Sequence, residues 1–234
     1  MTNEIFKRSI GLLGKDNFEF MQEQKIAVFG LGGVGGTALE ALVRTGFRHF
    51  IIVDFDKVEL SNLNRQILYL YKDVGRYKVD VAKERLLAIN PVIDVKKYCL
   101  KSQDFVIDER IDFIVDAIDD VEGKIALLVK AKENNIKSVM SLGMANRHDP
   151  NAVYLTTLNK THTDPLAKKI RYLAKKNNLD PKEIAVVVSE ELPQKNEVKL
   201  NSSMMAPSSS GLTIAKYIIE TFTERRRKSY EKHL

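Results

Sequence analysis

Gly30, Gly32, Gly33, Gly35 and Gly36 fall within seven residues, directly after the apolar run 26–29 and directly before a helical pattern that begins near Thr37. Glycine lacks the Cβ that would hold a backbone away from a ligand, and it enters positive φ at little steric cost. A turn of this kind leaves the free N–H groups of the following helix pointing at an anion. The spacing Gly30-x-Gly32-x-x-Gly35 is the dinucleotide fingerprint. Asp54, at the end of a second apolar run over 49–53, places a carboxylate where a ribose can donate hydrogen bonds to it. These residues point to a nucleotide, and leave open which nucleotide and for what chemistry.

The elements that must position them alternate along the chain. Residues 4–24 read as an amphipathic helical lead-in interrupted at Gly14, and a strand–helix–strand unit follows over 25–53, with Ala38, Leu39, Ala41, Leu42 and Val43 on the inward face of its helix. Residues 56–74 form a long, turn-rich loop after a strand's carboxyl end, where open α/β sheets place their ligands. The spacing predicts a helix over 78–89 closed by Asn90-Pro91, strands over 93–100 and 113–118, a helix over 123–134 and a strand over 137–142. This alternation predicts a Rossmann-like, doubly wound, mostly parallel α/β sheet in one domain spanning 1–234. Beyond 151 an added C-terminal region carries strands over 152–157 and 184–189, a basic helix over 165–176 and a last helix over 212–224. Residues 201–210 read as a flexible linker or lid.

Composition narrows the classes. The chain has 234 residues, 44% of them hydrophobic, with no run near eighteen apolar residues and no apolar core to a secretory signal, so a cytoplasmic chain without membrane contact is expected. The single cysteine, Cys99, excludes an intrachain disulfide and a Cys-x-x-Cys zinc cage; the alternation over 95–100 predicts that it is buried in a strand. The net charge of +6 favours polyanionic partners, with positive side chains clustered at Lys168, Lys169, Arg171, Lys175 and Lys176 and again over 225–228. The four histidines do not cluster, and His148 and His162 read as surface residues.

The loop after the second strand is more specific than the glycines. Asp54-x-Asp56, then Asn62-x-Asn64-Arg65-Gln66, behind Gly-x-Gly-Gly-x-Gly, resembles the adenylating superfamily that includes ubiquitin-activating enzymes and the activators of the thiamine and molybdenum-cofactor sulfur carriers. The resemblance implies ATP and Mg2+ as cofactors. Adenylation brings a carboxylate up to the α-phosphate of ATP, so fixed positive charge and magnesium are needed where charge develops. It implies Arg65 and Lys78 on the phosphates, Arg as a planar fork and Lys as a point charge. It implies Asp119, at the end of the fourth strand, as the magnesium ligand. Ser61, Asn62, Asn64 and Gln66, together with Asp54, Asp56, Gly30, Gly32, Gly33 and Gly35, would then surround the ribose, phosphates and base. It further implies a homodimer in which Arg8 reaches into the partner's ATP site. From residue type alone, Arg65, Lys78 and Arg8 read equally as solvated charges, Asp119 as a cap for the next helix and Asp56 as a brace for the loop.

Neither zinc cysteines nor a second candidate thiol is present, which argues against an acyl relay through cysteine. The segments 141–150, 160–171 and 186–193 resemble the bacterial tRNA threonylcarbamoyladenosine dehydratases, with Asp164-Pro165-Leu166-Ala167-Lys168-x-x-Arg171 as the most distinctive mark, and the resemblance spans 6–222. It implies an ATP-dependent cyclisation of threonylcarbamoyladenosine at tRNA position 37, with the basic helix contacting anticodon-stem phosphates. It also admits a cysteine desulfurase or sulfur-acceptor protein as a partner, for which no residue argues. Two alternatives stand beside it. An activator of a sulfur-carrier protein is opposed by the missing zinc cysteines, and a non-catalytic dinucleotide sensor is opposed by the cationic pair Arg65 and Lys78.

Overall fold

Seven strands form one sheet in the computed structural model, which describes residues 2–162, 164–194 and 201–231. Three short helices, α1 (Thr2–Ile5), α2 (Lys7–Leu13) and α3 (Lys15–Gln22), lead in, and Gly14 at φ +82° separates the last two. Then come β1 (Lys25–Phe29), α4 (Gly33–Thr45), β2 (His49–Val53), α5 (Lys78–Ile89), β3 (Asp94–Tyr98), β4 (Phe113–Asp116), α6 (Val121–Glu133), β5 (Lys137–Ser141), β6 (Val153–Thr157), α7 (Pro165–Lys176), β7 (Ala185–Ser189) and α8 (Met205–Glu231). The strand order is β3-β2-β1-β4-β5-β7-β6, and every pairing is parallel except β6 with β7. The predicted doubly wound architecture is therefore present. Its order reverses between β1 and β4, which opens a crevice at the carboxyl ends of those strands.

Period-two alternation divides the sheet's side chains between two layers. Ile26, Val28, Phe50, Ile52, Phe113 and Val115 pack with α4, α5 and α8 on one face; Ala27, Phe29, Ile51, Val53 and Ile114 meet Leu127 and Ala131 of α6 on the other. Farther along that second face, α7 buries Ala167, Ile170 and Ala174 against β5 and β7. Phe222 of α8 anchors the first layer, with ring centroids 6.1–6.3 Å from Phe20, Phe47 and Phe113. No helix among the described residues is long and apolar enough to cross a membrane.

Two expectations are corrected. Cys99 is exposed: β3 is an edge strand that ends at Tyr98, so Cys99 lies past the last ladder position. The stretch 201–210 is not a free linker either, because α8 begins at Met205 and takes in 205–210. Pro207 sits in the first turn, where a missing N–H is tolerated. The small residues there serve close packing: Ala206 and Ser210 are fully buried, and a Cβ on Gly211 would stand 2.5 Å from the Val34 carbonyl of α4. Gly211→Ala must push α8 off α4, and we expect it to lower unfolding free energy by about 1–3 kcal/mol, read as a lower urea midpoint at unchanged m-value.

Candidate active site

The crevice holds a cavity of about 520 Å³. Of the residues singled out in the sequence, Gly30, Gly32, Gly33, Asp54, Asp56, Arg65, Gln66, Lys78 and Asp119 line it together. The turn after β1 leaves no room for side chains. Gly30 has φ +84°, and a Cβ there would lie 2.6 Å from the Ala117 carbonyl. Gly35 does not line the cavity but lies under the turn, where a Cβ would fall 1.8 Å from the Gly30 carbonyl. Leu31 between them donates its N–H to Asp54 Oδ2 at 2.7 Å and accepts the Tyr69 hydroxyl at 2.8 Å.

Asp54 is buried, and its other oxygen accepts the Asp56 N–H at 2.8 Å. Burial raises its pKa, opposed by the Lys78 ammonium and by those two N–H groups. Lys78, the first residue of α5, is held at the rim because its N–H bonds the Asp56 carbonyl at 2.9 Å and its Nζ lies 2.7 Å from Asp56 Oδ2. Arg65 is half-buried and donates to the Ser61 carbonyl at 2.8 Å and to Asn64 Oδ1 at 2.9 Å. Gln66 is buried at the wall, and its Oε1 has no hydrogen-bond partner among the described residues.

Other sequence candidates act from outside the lining. Asn62 is buried and braces a 3-10 turn by accepting the Glu59 N–H at 3.2 Å, while Ser61 is exposed with its hydroxyl 3.2 Å from Glu59 Oε2. Asn64 ties the loop to the Ser202 carbonyl at 2.9 Å. Arg8 is exposed on α2 and is not among the lining residues. Asp119 lies three residues beyond the end of β4. It is not the helix cap, since Asp120 accepts the Gly123 N–H at 2.7 Å and takes that role. In the basic helix α7, Lys168, Lys169, Lys175 and Lys176 are exposed, but Arg171 is turned inward, donating to the Thr161 carbonyl at 2.6 Å.

Residues 6–184 match the model of the ThiF family. The chain belongs to the ThiF family. It is 35% identical over 220 residues to the tRNA threonylcarbamoyladenosine dehydratase of Bacillus subtilis, covering 88% of this chain and 86% of that one. The crystal structure of E. coli tRNA N6-threonylcarbamoyladenosine dehydratase superposes with a TM-score of 0.89 at 30% identity, covering 97% of both chains. The same E. coli enzyme in complex with ATP matches at TM-score 0.89 and 29% identity, over 97% of this chain and 96% of that one.

This ThiF cavity also contains residues that sequence reading passed over: Phe55, Lys101, Ser102, Gln103, Asp120 and Glu122. Phe55 sits inside the Asp54-x-Asp56 motif and is exposed, with Lys101 Nζ 5.8 Å from its ring. Residues 100–103 follow β3, and the rule that placed the other loops at the strands' carboxyl ends would have found them. The glycines separate packing from binding. Gly35→Ala should destabilise the fold by about 1–3 kcal/mol. At Gly32 a Cβ meets only Gln66 Nε2, at 3.8 Å, so Gly32→Ala should leave the melting transition within about 0.5 kcal/mol while weakening nucleotide binding in a calorimetric titration.

Proposed function

We propose that this protein is an ATP-dependent tRNA threonylcarbamoyladenosine dehydratase. The observation that carries the reading is the correspondence to that enzyme over 97% of both chains, joined to a cavity that Lys78, Arg65 and the glycine turn line together. The threonine carboxylate of the modified adenosine attacks the α-phosphate of ATP, forming an acyl-adenylate and releasing pyrophosphate. The carbamoyl group then closes a ring on the activated carbonyl and expels AMP, with net loss of water.

The chain's own residues then have distinct tasks. The turn at 30–33 and the start of α4 receive the phosphates. Asp54, an acceptor with lone pairs to spare beyond its two N–H bonds, takes the ribose hydroxyls. Lys78 and Arg65 stabilise charge that develops at the reacting phosphate. No step requires a protein nucleophile, and Cys99 is not among the lining residues.

A magnesium ion fits the donor set. The lining carries Asp54, Asp56, Asp119, Asp120 and Glu122 against Arg65, Lys78 and Lys101, so a polyphosphate meets more negative than positive charge. Asp119 and Glu122 are the lining carboxylates that no hydrogen bond or ion pair holds among the described residues, and Asp119 is the nearer to the end of β4. Magnesium characteristically takes one or two carboxylates beside substrate phosphates. Bound there through Asp119, it would supply neutralisation of the phosphate charge. The exposed lysines of α7 offer sequence-independent contacts to tRNA phosphates. Arg8, exposed and not among the lining of its own cavity, acts across a homodimer. The cysteine desulfurase or sulfur-acceptor partner forms no part of the proposal.

Incubation with ATP, magnesium and tRNA bearing threonylcarbamoyladenosine should release pyrophosphate and give a nucleoside lighter by one water. Pyrophosphate release with a sulfur-carrier protein in place of tRNA would favour the carrier-activating alternative, and nucleotide binding without turnover on either would favour the sensor. In the same assay Asp119→Ala should reduce turnover by about a hundredfold with an unchanged melting curve; retained activity removes Asp119 from the metal site. Arg8→Ala and Arg65→Ala should each be impaired. Subunits of the two, co-refolded, should recover about a quarter of wild-type activity, because half the dimers then contain one intact site of two. No recovery refutes the cross-subunit role.

A further inference from the structure

Behind the cavity wall, Lys124 of α6 is wholly buried, with Nζ 2.9 Å from Asp116 Oδ1 and 2.9 Å from the Ser141 carbonyl. Asp116 ends β4 and Ser141 ends β5, so one ammonium ties the carboxyl ends of two neighbouring strands to α6. The tie continues to α8, because the Ser141 and Ser210 hydroxyls lie 2.9 Å apart. Asp116 Oδ1 also accepts the Ile118 N–H at 3.3 Å, which fixes the backbone leading to Asp119. Gly30 packs on this same stretch: its missing Cβ would stand 2.6 Å from the Ala117 carbonyl and 2.9 Å from the Ile118 nitrogen. One buried ion pair therefore ties the end of β4, and with it the backbone leading to Asp119, to α6 and the end of β5.

Stability alone does not account for such a pair. Dehydrating two ions offsets most of their attraction, and apolar groups of the same volume hold a core as well or better. Here Asp116 Oδ2 is buried without any hydrogen-bond partner among the described residues, so the pair is not even fully satisfied. Burial raises the Asp116 pKa against the pull of Lys124.

We propose that Asp116 and Lys124 are positioning residues, which hold the 117–119 turn so that Asp119 faces the phosphates of the bound nucleotide. The inference rests on the reading of Asp119 as the magnesium-side carboxylate. The test is calorimetric: ATP affinity of the full chain with and without magnesium, for the wild type and two variants, with thermal melts alongside. Asp116→Asn combined with Lys124→Met removes both charges of the pair and should melt near the wild type, yet the gain in ATP affinity on adding magnesium should fall about tenfold. Its magnesium-free affinity should stay close to wild type. Asp116→Asn alone is isosteric, keeps an oxygen for Lys124 and Ile118, and should lose a smaller part of that gain. A wild-type gain in the folded variants overturns the positioning role and leaves Asp119 standing. A wild type without any magnesium gain overturns the reading of Asp119 and, with it, this inference.

Discussion

Leu31 is gripped from both sides, its N–H by the buried Asp54 carboxylate and its carbonyl by the Tyr69 hydroxyl, and the site depends on that grip. Asp54 opens the connection that follows β2 and Tyr69 lies farther along it toward α5, so that connection is tied to the glycine turn at two points. Gly30 is then forced between Gly35 and Ala117, where only a residue without Cβ and at φ +84° fits. The turn is thus held by hydrogen bonds and packing within the protein itself, which on the proposed reading lowers the ordering cost of binding a nucleotide. The arrangement costs Asp54 much of its hydration, visible as its raised pKa, and the burial of Tyr69 likewise raises its hydroxyl pKa. Lys78 and the N–H groups of Leu31 and Asp56 offset that cost at Asp54.

The cations of the cavity are held differently. Lys78 is nearly buried, so its attraction to an anion acts through protein more than through water. Its partner Asp56 is half-exposed, and on the proposed reading a phosphate takes its place on the ammonium. Arg65 uses one nitrogen on Ser61 and Asn64, which leaves the rest of its planar fork for the cavity. Asn64 in turn bonds Ser202, just before α8. That motif asparagine works through the arginine it orients, and it couples the 56–77 loop to the helix that covers Gly33.

What the sequence disclosed, and what it withheld, follows from which forces are local. The bounds of α5 and α7 coincide with their patterns because local chemistry sets them: Asn90-Pro91 stops one, and Asp164 caps the other ahead of Pro165. The glycine turn is legible for the same reason. Cys99 departs from its pattern because alternation says which residues share a face, not that β3 lies at an edge and stops at Tyr98. Serine-rich 201–210 read as linker because the partner that makes small residues useful, the glycine-rich start of α4, is some 170 positions away in sequence, as the Thr37–Ser208 contact shows. A motif also gives a residue's identity without its direction. Ser61 and Asn62 turn into the loop and Asn64 reaches out to Ser202, whereas Gln66, four residues after Asn62, reaches the wall.

The same distinction explains the segment that most sharply marks the subfamily. Asp164 takes the Leu166 N–H at 2.8 Å as helix cap, the Gly143 N–H at 3.2 Å from beyond β5, and faces the buried Arg147 at 3.6 Å. Arg171, seven residues on, fastens the same helix to Thr161 and Leu158. Both ends of the motif therefore lock α7 in place against β5 and β7, and both side chains are taken up by those contacts. What they lock is a face carrying Lys168, Lys169, Lys175 and Lys176 around the exposed Tyr172. Lysines are point charges on long stems, suited to phosphates whose spacing is set by a nucleic acid and not by the protein. On the proposed reading each lysine adds affinity without sequence preference, while Asp164 and Arg171 determine where the docked strand lies relative to the reacting phosphate. A residue can mark a function closely and still serve it only by holding other residues still.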